Sequence, residues 1–204
     1  MPNTGTMLVG SATVPGAQPL GSQSYCATSP NPAAQAFWDS FCHADNAPAT
    51  AVLTEQHWKD LVEAQREAYR AFIYGPTLSW DPLAPIGDCK TYAAEVNLLL
   101  LEHGWPAGAM RIATAFVNDH GSQQWAYHAA LLIDTDKGTI VLDDRHQAPV
   151  PWQELPYIWM TAELPGEHGA WAVLPSNKGE LQMAVMANLT AGRGRSQVAA
   201  LPTP

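Results

Sequence analysis

The sequence predicts an α+β fold, with N-terminal helices packed on an antiparallel β-sheet. Three observations predict it. Apolar residues recur at helical steps from Thr54 to about Tyr74. A second helical run opens at Asp88-Cys89, carries the apolar stretch Val96 to Leu101, and is stopped by Gly104 and Pro106. From Met110 onward the pattern changes to short runs of strand-forming residues separated by turn signals.

Taken in order, residues 1–32 are Gly, Ser, Thr, Pro and Ala with few charges, which predicts an extended or disordered arm. Residues 33–43 predict a short helix with Phe37, Phe41 and Cys42 on one side. In the long helix, Trp58, Leu61, Val62, Tyr69, Phe72 and Ile73 form the expected core stripe. Glu55, Lys59, Asp60, Glu63, Arg66 and Glu67 line its wet side. Strands are expected at 110–117, 125–133 and 139–142, with Asp136-Lys137-Gly138 as a hairpin turn. Tyr157–Met160 and Ala170–Leu174 are expected as further strands, and 178–190 as a last helix before a loose tail. The division is therefore an arm over 1–32, a domain over 33–175, and a helix with tail over 176–204.

Composition narrows the function classes. Lys plus Arg minus Asp plus Glu is 10 − 19 = −9, which argues against nucleic acid and against an anionic membrane surface. With 47% hydrophobic residues and eight Trp, the 204 residues can bury a core. No apolar run approaches the roughly 18 residues of a membrane span, so no membrane insertion is expected. The N-terminus lacks a basic region followed by a sustained apolar core, so it does not read as a signal peptide. The expected compartment is the periplasm or cell envelope if a leader precedes this sequence, and the cytoplasm otherwise. If Cys26 and Cys42 pair, Cys89 is left as a free thiol, and a disulfide would imply an oxidising compartment.

Cys89 is the first candidate for chemistry. Asp88 can cap the helix by accepting N–H bonds from its first turn. Cys89 then sits at the positive end of the helix, where unpaired N–H groups and the macrodipole favour a negatively charged sulfur. The competing reading is a small buried hydrophobe, because Cys89, Tyr92, Ala93, Val96, Leu99 and Leu100 share one face. His128 lies near the start of the second predicted strand and Asp143 at the end of the third. Across an antiparallel hairpin these ends come close, within a register offset of two or three residues. A carboxylate that holds one imidazole nitrogen while the other faces a thiol is the arrangement of an activated nucleophile. Singly, His128 also reads as a hydrogen-bonded strand histidine and Asp143 as a turn cap.

The segment from about Leu53 to Trp159 resembles the bacterial transglutaminase-like cysteine peptidases, the family that includes the LapG proteases. The resemblance rests on Leu53-Thr54-Glu55 with Trp58, on Gly87-Asp88-Cys89 with Tyr92, and on Glu102-His103-Gly104-Trp105-Pro106. It continues through His128-Ala129, Asp136-Lys137-Gly138, Val141-Leu142-Asp143 and Pro151-Trp152, with 143 − 128 = 15 residues between His and Asp. It implies a papain-like, transglutaminase-like core over 33–175, with Cys89 as nucleophile, His128 as base and Asp143 as orienter. It also implies a protein substrate, a surface or envelope protein by analogy with LapG-like members. LapG-type members carry acidic residues directly after the cysteine, where they help bind calcium. Lys90 and Thr91 stand there in this chain, so no cofactor and no calcium dependence are expected. Asp144 stands where the family has Asn.

The expected reaction is peptide hydrolysis by a monomer through a thioester. The backbone N–H of Cys89 is one oxyanion donor, and Trp80 or Gln124 is the candidate second. Three other readings follow from the same residues. An amine acceptor would make the reaction transglutamination. A catalytically idle module would keep only the fold. A zinc site from Cys89, His103, His120 and His128 lacks any supporting ligand spacing.

Overall fold

In a computed structural model of the chain, the structure describes residues 26, 31–44, 47–76, 80–118 and 125–174. Its elements are helices α1 (Pro32–Cys42), α2 (Glu55–Ala71) and α3 (Cys89–Glu102), then strands β1 (Met110–Asn118), β2 (Trp125–Thr135), β3 (Gly138–Leu142), β4 (Val150–Pro151), β5 (Ile158–Leu164) and β6 (Glu167–Val173). The strands form one sheet in the order β4-β3-β2-β1-β5-β6, with every pairing antiparallel. This is the expected α+β arrangement. The expected helix at 178–190, Gln124 and His120 lie outside the described residues, as does the arm apart from Cys26, Asn31 and Pro32.

Each helix starts for a local reason. Asn31 Oδ1 accepts from the Ala33 N–H at 3.0 Å, and Pro32 occupies the first turn of α1, where no N–H is needed. Thr54 Oγ1 accepts from the His57 N–H at 3.0 Å to start α2. Asp88 caps α3 through the Lys90 N–H at 3.0 Å, as the sequence implies. The three helices bury Phe37, Trp38, Phe41, Leu61, Ala64, Ala68, Tyr92, Val96 and Leu100 against Met110, Ile112, Leu131, Ile133 and Leu142 of the sheet. A second apolar cluster, with Ala130, Leu132, Val141, Tyr157 and Trp159, covers other positions of the same strands. Alternate residues of β2 therefore serve two packing layers. A disulfide joins Cys26 to Cys42 at the end of α1, and Cys89 is the free cysteine.

The long helix departs from its expected stripe. Its buried residues are Leu61, Ala64, Gln65 and Ala68, while Trp58, Tyr69 and Ile73 are exposed. Small residues on the buried face let α2 lie close to α3, so the contact is centred on the alanines, not on the aromatic side chains. The helix also stops at Ala71, because the chain at 73–75 is drawn into another pairing. Gly87 N–H donates to the Ile73 carbonyl at 3.0 Å, and Gly75 N–H donates to the Gly87 carbonyl at 2.7 Å. That short bridge fixes the segment entering α3.

The β2–β3 hairpin is docked at its turn. Asp136 Oδ1 accepts from the Leu53 N–H at 2.6 Å, and Lys137 Nζ donates to the Leu53 carbonyl at 2.7 Å. Gly138 takes φ 112°, a conformation suited to glycine. The motif pair Leu53-Thr54 and Asp136-Lys137-Gly138 thus has a structural role: it holds the start of α2 to the hairpin. The short strand β4 was not expected from sequence. Its Pro151 is tolerated because β4 is an edge strand. Strand β5 pairs with β1, not with its chain neighbour β4, so the chain crosses to the far edge after the meander.

Candidate active site

Cys89 is the first residue of α3 and is partly exposed at the helix N-terminus. Two local features put it there. The Asp88 carboxylate accepts from the Lys90 N–H and from the Lys90 ammonium, which closes the cap. Gly87 has to be glycine, because a Cβ there would collide with the buried side chain of Thr91. The helix beneath is held by the Tyr92 hydroxyl, which donates to the Gln65 carbonyl of α2 at 3.0 Å. The residues expected on the face below Cys89 are buried at Tyr92, Ala93, Val96 and Leu100. Cys89 therefore crowns a packed stripe without being enclosed by it.

His128 and Asp143 come together as the hairpin argument required. Pairing of β2 with β3 begins at Leu131, opposite Leu142. His128 lies just before that pairing and Asp143 just after it. His128 Nε2 is 3.1 Å from Asp143 Oδ2, and both residues are buried. The Cys89 side chain lies close enough to the imidazole to act on its pKa. Burial acts to lower the His128 pKa. Hydrogen bonds to Asp143 and to Cys89, with the charges of both, outweigh that and raise it to about 10. Burial acts to raise the Asp143 pKa, but the His128 and His146 hydrogen bonds, the imidazolium charge and the Tyr157 bond hold it well below the usual carboxylate range.

Asp143 is the hub of a larger network. Its Oδ2 accepts from the Tyr157 hydroxyl at 2.5 Å. Its Oδ1 accepts from His146 Nδ1 at 2.9 Å and from the Arg145 N–H at 3.2 Å. Its backbone carbonyl accepts from Gln65 Nε2 at 2.6 Å, and Gln65 also donates to the His146 carbonyl. The turn-cap reading of Asp143 is thus true as well, through Arg145. Burial and the Asp143 charge push the Tyr157 hydroxyl far above its ordinary range, so it remains a donor.

Gln65, His146 and Tyr157 were missed from sequence. Gln65 had a detectable signal: it is a polar residue on the buried face, four after Leu61 and three before Ala68. Tyr157 had none, because only the crossover to the far edge of β1 brings it to the site. Of the two candidate second oxyanion donors, Gln124 lies outside the described residues, and the Trp80 carbonyl accepts from the Trp38 indole at 2.9 Å. The zinc set is not assembled: Cys89 and His103 lie at opposite ends of α3, about 20 Å apart at 1.5 Å per residue.

Among solved structures the chain is similar to LapG of Legionella pneumophila. The calcium-bound form matches at 14% identity and a TM-score of 0.46, covering 74% of this chain and 88% of that one. The EGTA-treated form matches at 14% identity and 0.46, covering 74% and 87%. No curated protein matches the chain.

The expectation that calcium plays no part is corrected here. A calcium-bound protein is among the matches, and Lys90 and Thr91 account for only two positions. Calcium draws on backbone carbonyls, amide oxygens and water as well as carboxylates, so two residue identities do not exclude it. The residues at 88–91 themselves do not fit as a cage, because their one carboxylate, Asp88, is engaged by Lys90.

The family model for bacterial transglutaminase-like cysteine proteinases matches residues 13–179, most of the chain. With a free cysteine at a helix start beside a buried imidazole, the chain belongs to that family and is a cysteine peptidase of transglutaminase-like α+β fold.

Proposed function

We propose that the chain hydrolyses a peptide bond of a protein substrate through Cys89, His128 and Asp143. The observation that carries this is the chain of contacts Cys89–His128–Asp143, with the imidazole pKa raised. Cys89 Sγ attacks the scissile carbonyl carbon and its π electrons move to oxygen. The Cys89 N–H at the helix start donates to that oxyanion. The C–N bond breaks as His128 gives its proton to the leaving amine, and a thioester remains. His128, now neutral, takes a proton from water, whose oxygen attacks the thioester. The C–S bond breaks, the acid product leaves, and the thiolate and imidazolium are restored. Asp143 holds the ring throughout and stabilises its charged form.

The Cys26–Cys42 disulfide supports an oxidising compartment, hence the periplasm or envelope and a substrate found there. Incubation with candidate envelope proteins, in calcium and in chelator, tests the reaction. Discrete fragments are expected, with no incorporation of a labelled amine. Amine incorporation without fragments would overturn hydrolysis in favour of transglutamination.

The substrate's path is suggested by four exposed side chains. Tyr74 and Tyr127, each about half exposed (47% and 48%), come from two different elements. Burial and then the charge of Cys89 raise the Tyr74 hydroxyl, and the same charge also reaches Tyr127. Ile73 and Ile86 are exposed on the bridge that precedes α3. Such a rim suits an extended peptide with an apolar side chain near the cleaved bond. Tyr127→Ala is expected to raise KM for a peptide about tenfold, the loss of roughly 1.4 kcal/mol of apolar contact. Alkylation of Cys89 by iodoacetamide, which needs no rim, is expected to keep its rate.

A further inference from the structure

The site holds a second carboxylate that the reaction above does not use. Asp144 follows the hub residue, and its side chain is 13% exposed. Its Oδ1 is buried and has no hydrogen-bond partner among the described residues. That oxygen lies 3.7 Å from His128 Nε2, the same nitrogen that bonds Asp143. Buried carboxylate oxygens are almost always satisfied, and leaving one unpaired costs on the order of 1–3 kcal/mol or more. An unsatisfied one aimed at an imidazole is best explained by the charge it places there.

We propose that Asp144 is a positioning residue for the proposed reaction, a second carboxylate that acts on His128 by charge. The distance is too long for a hydrogen bond, so Asp143 sets the ring's orientation and Asp144 adds to the field that keeps the ring protonated. The division follows from surroundings. Asp143 accepts from His128, His146, Tyr157 and the Arg145 N–H, whereas Asp144 Oδ1 accepts from none of the described residues. Among the described residues, the other charged or titratable groups that interact with Asp144 are Arg145 on its own loop, Tyr74 before α3, Tyr92 on α3, and Tyr157 before β5. Burial lifts the Asp144 carboxyl above the usual range, opposed by the charge of His128 and reinforced by that of Asp143. Its charge is therefore lost first as pH falls, and its effect on His128 is fullest at neutral pH and above.

This inference rests on the peptidase reading for its consequence, but its test does not. Full-length protein with labelled histidine is titrated by NMR, and the His128 signal is assigned by its loss in His128→Gln. Asp144→Asn conserves volume and removes the charge, and it is expected to lower the His128 midpoint by about one pH unit. Asp144→Glu keeps the charge and is expected to restore most of the shift. In peptide hydrolysis the alkaline limb of kcat/KM is expected to move the same way in Asp144→Asn, while the melting temperature changes little. A His128 midpoint unchanged in Asp144→Asn would overturn the proposal. A shifted midpoint in a protein that cleaves nothing would instead leave the coupling standing and remove the peptidase reading.

Discussion

Cys89→Ala is expected to abolish cleavage of a protein substrate while leaving the fold intact. Loss of a nucleophile removes the covalent route altogether, and reductions of about 10⁵ to 10⁶ in turnover are usual for such changes. The fold is expected to survive because little depends on the sulfur. The α3 start is held by the Asp88 cap, by the backbone bridge from Gly87 to Ile73 and Gly75, and by the Tyr92–Gln65 bond. Ala is also a better helix former than Cys. Circular dichroism and a thermal melt matching the parent, beside silent cleavage assays, are the expected pair of results. Cleavage at parental rate by Cys89→Ala would remove the mechanism, whatever the family.

Much of this site was legible one residue at a time. Gly87-Asp88-Cys89 names its own geometry: a glycine where a side chain would strike Thr91, a capping aspartate, and a residue at the positive helix end. The hairpin turn at Asp136–Gly138 fixes which ends of β2 and β3 meet, and so brings His128 toward Asp143. What escaped the sequence depends on packing over long distances. Gln65 reaches the Asp143 carbonyl only because α2 lies close to α3, which the aromatic stripe of Trp58 and Tyr69 misrepresented. Tyr157 enters because β5 pairs with β1, a choice of sheet edge that no local pattern encodes. Residues 90 and 91 likewise say little about calcium, because ligand sets are drawn from the whole fold and adjacent residues alone do not define them.

Asp143→Asn is expected to be the most damaging isosteric change, because it strikes orientation and charge together. The carboxylate accepts from four donors: His128 Nε2, Tyr157 Oη, His146 Nδ1 and the Arg145 N–H. An amide offers one acceptor oxygen, so its nitrogen must face donors that it cannot satisfy. Breaking a buried charged pair of this kind costs roughly 3–5 kcal/mol of stability. Turnover is expected to fall about 10⁴-fold, because the imidazole loses both its orienting partner and the adjacent charge. The pH dependence of stability gives an independent reading. The Asp143 pKa is lower in the folded chain than in the unfolded one, so its contribution is present above the unfolded value near 4 and is lost as pH falls toward the folded value. The His128 pKa is raised to about 10, so its contribution is full below about 6.5 and fades as pH rises from there toward 10. Urea unfolding of the parent across that range is expected to show both slopes. Asp143→Asn is expected to lose the acid slope from this residue and most of the alkaline one, since the bond that raises His128 is gone. Equal slopes in parent and variant would mean that the two side chains do not share a proton-linked contact, and the assignment of base and orienter would fall with it.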